Sequence, residues 1–171
     1  LQAGPLQYAA GYQWSKGSLT TRPSDALFTG DIAGLGGATA PVDESRTLNA
    51  FFGELAIPIV KSLDATLSGR YDNYDDVGSK FTWKTSMRWQ PTKQYLLRAS
   101  YGTGFRPPSL PDLWTPQTVG TSEQFTDPAN PDNPNLQVPA VSGGNPDLKP
   151  ETSQQYQIGG IWSPTPSFSI G

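Results

Sequence analysis

The chain of 171 residues has no cysteine and no histidine. Without cysteine there is neither a disulfide framework nor a thiolate metal site. Without histidine, the commonest general base and the commonest transition-metal ligand are both missing. A serine nucleophile would have to recruit lysine or a carboxylate, and the sequence shows no such constellation, so no enzyme activity is expected. Positive charge is also in short supply, with 12 Lys and Arg against 15 Asp and Glu. The field that holds a polyanion is therefore missing, and no nucleic-acid partner is expected. Long apolar runs are absent as well. The longest mild one, "IAGLGGATAPV" from Ile32, is far from the roughly 18 residues of a membrane-spanning helix. The same stretch contains "GLGG", which lacks the strand, spacing and helix of a dinucleotide fingerprint. There is no P-loop, and no cofactor is expected. The chain does not begin with Met or a signal segment, and it reads as an internal piece of something longer.

What the chain has is alternation. In "KFTWKTSMRWQ", Phe81, Trp83, Thr85, Met87 and Trp89 alternate with Lys80, Thr82, Lys84, Ser86, Arg88 and Gln90. A helix would scatter these charges, whereas a strand places them all on one side. The stretches 6–15, 62–74, 94–104 and 151–162 alternate in the same way, and "SFSIG" from Ser167 begins another such stretch. "TLNAFFGELAI" from Thr47 is ambiguous, because Phe51 and Phe52 are adjacent and only Glu54 marks a wet face. Of the 17 prolines, ten lie between Pro107 and Pro150, and the rest fall between these segments, as ladder hydrogen bonding requires. The predicted connections are 16–46, 58–61, 75–79, 91–93, 105–150 and 163–166. Since successive hairpins alternate between the ends of a sheet, one end receives 58–61, 91–93 and 163–166, and the other receives both long loops.

Strands of about ten residues, apolar on one face and polar on the other, with short turns at one end and long loops at the other, match a transmembrane β-barrel. A soluble all-β module with carbohydrate-binding loops is the alternative, but its inward face should be richer in Val, Ile and Leu than in Trp and Tyr. On the barrel reading, Trp83, Trp89, Tyr95, Tyr101 and Trp162 face lipid as interfacial girdles, and Glu54, Arg70, Lys84, Arg88 and Arg98 face the lumen. Seven strands, the last incomplete, do not close a barrel, so the sheet is expected to belong to a larger one.

"RYDNYDDVGSKFTWKTSMRWQPTKQYLLRASYGTGFRPPSLPDLW" followed by "GGNPDLKPETSQQYQIGG" resembles the later barrel region of TonB-dependent outer-membrane receptors. Pro107 stands where that family usually has alanine, and it suits the extended conformation that Pro108 imposes on its neighbour. The resemblance implies an all-β, antiparallel up-and-down barrel of about 22 strands with a plugged lumen, of which residues 1–171 form a part. It also implies a Gram-negative outer membrane, with lipid as one partner and the TonB complex as another, reached through an amino-terminal region outside this chain. The cargo would be a scarce nutrient: a ferric siderophore, haem, cobalamin or an oligosaccharide. The motif residues Phe105, Arg106, Pro107 and Pro108 open the second long loop, and Asn145, Pro146, Leu148, Pro150 and Glu151 close it. We expect them to stiffen its base, with Arg106 and Glu151 pairing across strands. Asp72, Asp75 and Asp76, and likewise Asp127 and Asp132, lack EF-hand spacing and are expected to be solvated turns. Trp114, Phe125 and Phe28 are the loop aromatics available to stack on a ligand ring.

Overall fold

A computed structural model describes residues 3–31, 37–130, 132, 135–165 and 167–171. "GLGG", apart from Gly37, lies outside the described residues, as do Pro131, Pro134 and Pro166. The elements are β1 (Gln7–Thr21), α1 (Asp25–Thr29), β2 (Val42–Val60), β3 (Leu63–Tyr74), β4 (Gly78–Thr92), β5 (Tyr95–Arg106), α2 (Leu110–Trp114), β6 (Thr118–Thr121), β7 (Pro139–Ser142), β8 (Glu151–Thr165) and β9 (Phe168–Ile170). Seven strands form one sheet in the order β1-β2-β3-β4-β5-β8-β9, while β6 and β7 pair separately. Each ladder between neighbours from β2 onward is antiparallel. The sheet is thus an open meander, with β1 and β9 as its edges.

The register converts the sequence alternation into two chemically distinct faces. Leu63, Ala65, Leu67 and Tyr71 of β3 lie opposite Trp89, Met87, Thr85 and Phe81 of β4. Trp89, Met87 and Thr85 in turn lie opposite Leu97, Ala99 and Tyr101 of β5. The row continues through Trp162, Ile158 and Tyr156 of β8, opposite Tyr95, Ala99 and Tyr101. Shifting any strand by one residue would put charge into this face, so the alternation itself pins the register. The ambiguous β2 is settled by its partner. Phe51, Leu55 and Ile57 lie opposite Tyr71, Leu67 and Ala65, whereas Phe52 and Glu54 lie opposite Arg70 and Ser68. Phe52 therefore sits on the polar face, its ring over Gly11 in contact distance of where a Cβ would stand and 5.7 Å from the Arg70 guanidinium. The missing side chain at residue 11 makes the space, and the cation–π contact favours the ring there.

This sheet has no conventional core. Among the described hydrophobic residues only Ala50 and Leu113 are buried, while Tyr156 and Ile158 on the apolar face are 84% and 85% exposed. A soluble sandwich would cover such a face with a second sheet or with helices. An uncovered aromatic and aliphatic face of this extent is unlike that of a soluble sandwich, and the soluble binding module is not favoured.

Three expectations about connections change. The strands β1 and β2 run on to Thr21 and back to Val42, so the first long loop is shorter than residues 16–46. Ladder pairing extends wherever partner strands stay adjacent, even where the alternation fades. The second long loop carries a helix and a hairpin of its own. Pro58, Pro91 and Pro164 fall inside strands rather than between them. Each sits at a register irregularity, between Pro58 and Val60, Trp89 and Thr92, or Trp162 and Thr165. Bulges tolerate a residue without an N–H, and here each precedes a tight turn at the same end of the sheet.

Compact packing divides the chain into two units. One comprises Leu1–Lys16, Thr47–Pro107 and Pro150–Gly171, the body of the sheet. The other comprises Gly17–Arg46 and Pro108–Lys149, which are the two long connections with the outer ends of β1 and β2.

Candidate functional site

The motif residues occupy the two points where the chain leaves and re-enters the sheet. Phe105 and Arg106 end β5, and Glu151 opens β8. Arg106 and Glu151 are register partners, with Nη1 3.7 Å from Oε2 and both side chains about three-quarters exposed. A pair so wet contributes little. We expect Arg106→Ala to lower stability by less than about 0.5 kcal/mol, measured as the half-life of the heat-resistant form of the full-length protein. Phe105 contributes more directly, its ring 6.0 Å from that of Tyr74 on β3.

Beyond Arg106 the sequence builds a clasp. Pro107 and Pro108 hold the chain extended, and Ser109 then caps α2. The Ser109 hydroxyl accepts from the Asp112 amide at 3.2 Å while the Asp112 carboxylate accepts from the Ser109 amide at 2.9 Å. This reciprocal capping, with Pro111 in the first turn, lets a helix of five residues form despite its length. The returning motif then locks onto the end of this helix. The Gly144 amide donates to the Thr115 carbonyl and the Asn145 amide to the Asp112 carbonyl, both at 2.8 Å. A Cβ on Gly144 would lie 2.5 Å from the Leu113 carbonyl carbon and oxygen, so the backbone contact requires glycine. Asn145 also caps its own turn, its Oδ1 accepting from the Asp147 amide at 3.0 Å, with the Leu148 amide bonded to the Asn145 carbonyl at 3.2 Å. Pro146 and Pro150 stand within and at the end of this turn, so the family motif is a hydrogen-bonded loop base. Leu113 of this helix is 4% exposed.

Sequence reasoning missed Arg46. Its Nη1 donates to the Pro108 carbonyl at 2.6 Å, tying the outer end of β2 to the start of the second long connection. A lone arginine near a strand end carries no sequence signal for this; a carbonyl in a diproline that lacks helix or ladder partners would have been the clue. The carboxylates expected in solvated turns have structural work instead, and Asp72 is not in a turn at all: it lies in β3, 6% exposed, against Arg70. Asp75 accepts from the Thr47 amide through both oxygens at 2.9 Å, and Asp127 caps its own turn at the Ala129 amide. Among the described residues no group of three or more potential metal ligands gathers. Trp114, Phe125 and Phe28 all fall in the long-connection unit, and Phe125 pairs with Leu136 in an isolated bridge.

The sheet's polar face carries the second set of predicted residues. Glu54, Arg70, Lys84, Arg88 and Arg98 lie on it together, and Trp83, Trp89, Tyr95, Tyr101 and Trp162 lie on the other face. On that other face Trp83 meets Tyr101 edge-on at 5.4 Å, and Tyr95 lies opposite Trp162. On the polar face, Arg70 donates to Asp72 at 2.7 Å and to Gln13 at 2.9 Å, and Asp72 is only 6% exposed. Removing the arginine strands a buried carboxylate. Since the Arg70 side chain is one-third exposed, we expect Arg70→Leu to destabilise by about 2 kcal/mol rather than the 3–5 of a fully buried pair, again read as the half-life of the heat-resistant form.

Comparison with known proteins places this architecture. The family model described as "TonB dependent receptor-like, beta-barrel" matches residues 2–171. The vitamin B12 transporter BtuB of Vibrio vulnificus is 29% identical over 154 residues, covering 90% of this chain and 19% of that protein. BtuB of Photobacterium profundum is 30% identical over 91 residues, covering 53% of this chain and 11% of that protein. A mutant of the ferric enterobactin receptor PfeA from Pseudomonas aeruginosa, in complex with enterobactin, superposes with a TM-score of 0.71 at 21% identity, over 92% of this chain and 22% of that one. The siderophore receptor PirA from Acinetobacter baumannii gives 0.69 at 17% identity, over 93% and 22%. These structures share the fold, and the chain spans about a fifth or less of the length of its relatives. From the two-faced meander, the clasped loop base and the match over nearly every residue, the chain belongs to the TonB-dependent receptor-like β-barrel family.

Proposed function

We propose that the protein containing this chain is an outer-membrane active transporter of a Gram-negative bacterium, and not an enzyme. It binds a scarce iron chelate or cobalamin outside the cell and imports it to the periplasm with energy delivered through TonB. The observation that carries this reading is the uncovered apolar face of the sheet, backed by a polar face dense in arginine and lysine. Lipid accounts for the first face, and a hydrated, occupied lumen for the second. Trp89, Tyr95 and Trp162 form the girdle near the tight turns, and Trp83 and Tyr101 form the other. From Trp89 to Trp83 the strand rises by roughly 20 Å, close to the height of an apolar band. The tight-turn end then faces the periplasm, and the two long connections face outward, where the clasp holds the base of the ligand-contacting loops. The relatives transport vitamin B12 or bind siderophores, which supports that substrate class.

The test is uptake of labelled cobalamin and a panel of ferric siderophores by cells with and without the gene. We expect one substrate to be lost on deletion, and lost equally when the TonB gene is removed instead. Unchanged uptake of every substrate would sink the transporter reading.

A further inference from the structure

Within the polar face, Asp64, Lys84, Arg88 and Arg98 line one shallow depression of about 390 Å3, with Ser86 and Ser100 between them. Arg88 lies directly opposite Asp64 on one side and directly opposite Arg98 on the other. Asp64 Oδ2 accepts from Arg88 Nη1 at 3.3 Å, and Gln90 accepts from Nη2 of the same guanidinium. Arg88 is therefore held in place. The side chains of Lys84 and Arg98 take part in no hydrogen bond or ion pair among the described residues. Three cations and one carboxylate leave the depression at +2, and two arginines face each other across a ladder where like charges destabilise.

Each unengaged cation faces a glycine on one side, Gly102 opposite Lys84 and Gly159 opposite Arg98, with Ser68 and Arg88 on the other. Gly159 is not there for packing, since a Cβ on it would meet nothing within 4 Å. The space beside Arg98 is open on the side away from Arg88. We propose that Arg98 and Lys84, with the anchored Arg88 behind them, form an oxyanion site that takes a carboxylate- or phosphate-class anion carrying about two negative charges. Guanidinium groups match such oxygens in geometry as well as charge, and a shared anion turns the Arg88–Arg98 repulsion into joint ligation. The anion comes either from an acidic side chain elsewhere in the same protein or from a free solute.

The experiment uses the full-length protein in detergent, with the half-life of its heat-resistant form as readout. Arg98→Gln should shorten that half-life by roughly fivefold or more, and Arg98→Lys should retain most of it. Lys84→Gln should act in the same direction as Arg98→Gln. Inorganic phosphate, compared with chloride at equal ionic strength, separates the sources. A half-life lengthened by phosphate in the wild type but not in Arg98→Gln identifies a free anion; a wild type insensitive to phosphate alongside a weakened Arg98→Gln identifies a protein carboxylate. If Arg98→Gln is neutral or longer-lived, as relief of arginine–arginine repulsion alone would give, the site does not exist. Because stability and not uptake is read, that failure would leave the transport reading standing.

Discussion

Met87→Arg in the full-length protein should sharply reduce the fraction that assembles as heat-resistant barrel in the outer membrane, while Thr66→Arg should leave assembly near the wild-type level. Met87 lies in the middle row of the apolar face, opposite Ala65 and Ala99. Thr66 is one residue along from Ala65 and points the other way, opposite Ser86 and Ala56. The introduced charge is the same in both variants, and the face that receives it is the main difference. An arginine at the lipid midplane costs about 2–4 kcal/mol, whereas on the polar face it stays hydrated, with Asp64 two residues away and the repulsion from Arg88 in the same depression screened by water. Equal assembly of the two variants would overturn the assignment of the apolar face to lipid, and the transporter reading would lose its main physical support.

Gly144→Val is the second substitution expected to matter. The added Cβ would meet the Leu113 carbonyl at 2.5 Å and the Trp114 nitrogen at 2.6 Å. Those are backbone atoms of a capped helix, so no flexible side-chain end can move aside. The returning strand must withdraw and lose the Gly144 and Asn145 amide bonds to Thr115 and Asp112. Two such bonds contribute about 2 kcal/mol, or roughly a thirtyfold larger population of opened loop. We expect protease cleavage within residues 108–149 to accelerate by about that factor on intact cells, with the heat-resistant barrel unchanged. A loop as resistant as the wild type would show that the clasp is not what holds it. A barrel that fails to assemble would show that the clasp is needed for more than the loop.

Much of this was legible because a strand has a period of two. In 62–74, 80–90, 94–104 and 151–162, alternation alone separated Lys84, Arg88 and Arg98 from Trp83, Trp89 and Tyr101, and the register keeps them on opposite faces. Where alternation broke down, the signal was thin. Phe51 and Phe52 are chemically equivalent neighbours, Glu54 alone marked the wet face, and pairing with Tyr71 and Arg70 distinguishes the two rings. Glycine 11 makes room for Phe52 from a different strand, a relation that local sequence does not encode. Strand ends were misjudged for a related reason. Pairing continues across Pro58, Pro91 and Pro164 through bulges, and bulges are a property of two strands rather than one.

The clasp divides in the same way. Proline and glycine density marked Phe105–Pro108 and Asn145–Glu151 as the base of a loop, and the Ser-x-x-Asp spacing from Ser109 to Asp112 is a local cap written in four residues. That Asn145 would bond to Asp112, or Arg46 to Pro108, depends on segments tens of residues apart closing against one another. Near-neighbour periodicity and motif order were enough to read the seven strands of the main sheet, their two faces and the family. Which faces align across the sheet, which loop segments join, and that Arg98 stands across from Arg88 with open space on its far side are written in no local stretch. These are long-range juxtapositions, created when hydrogen-bonded ladders bring distant residues within a few ångströms.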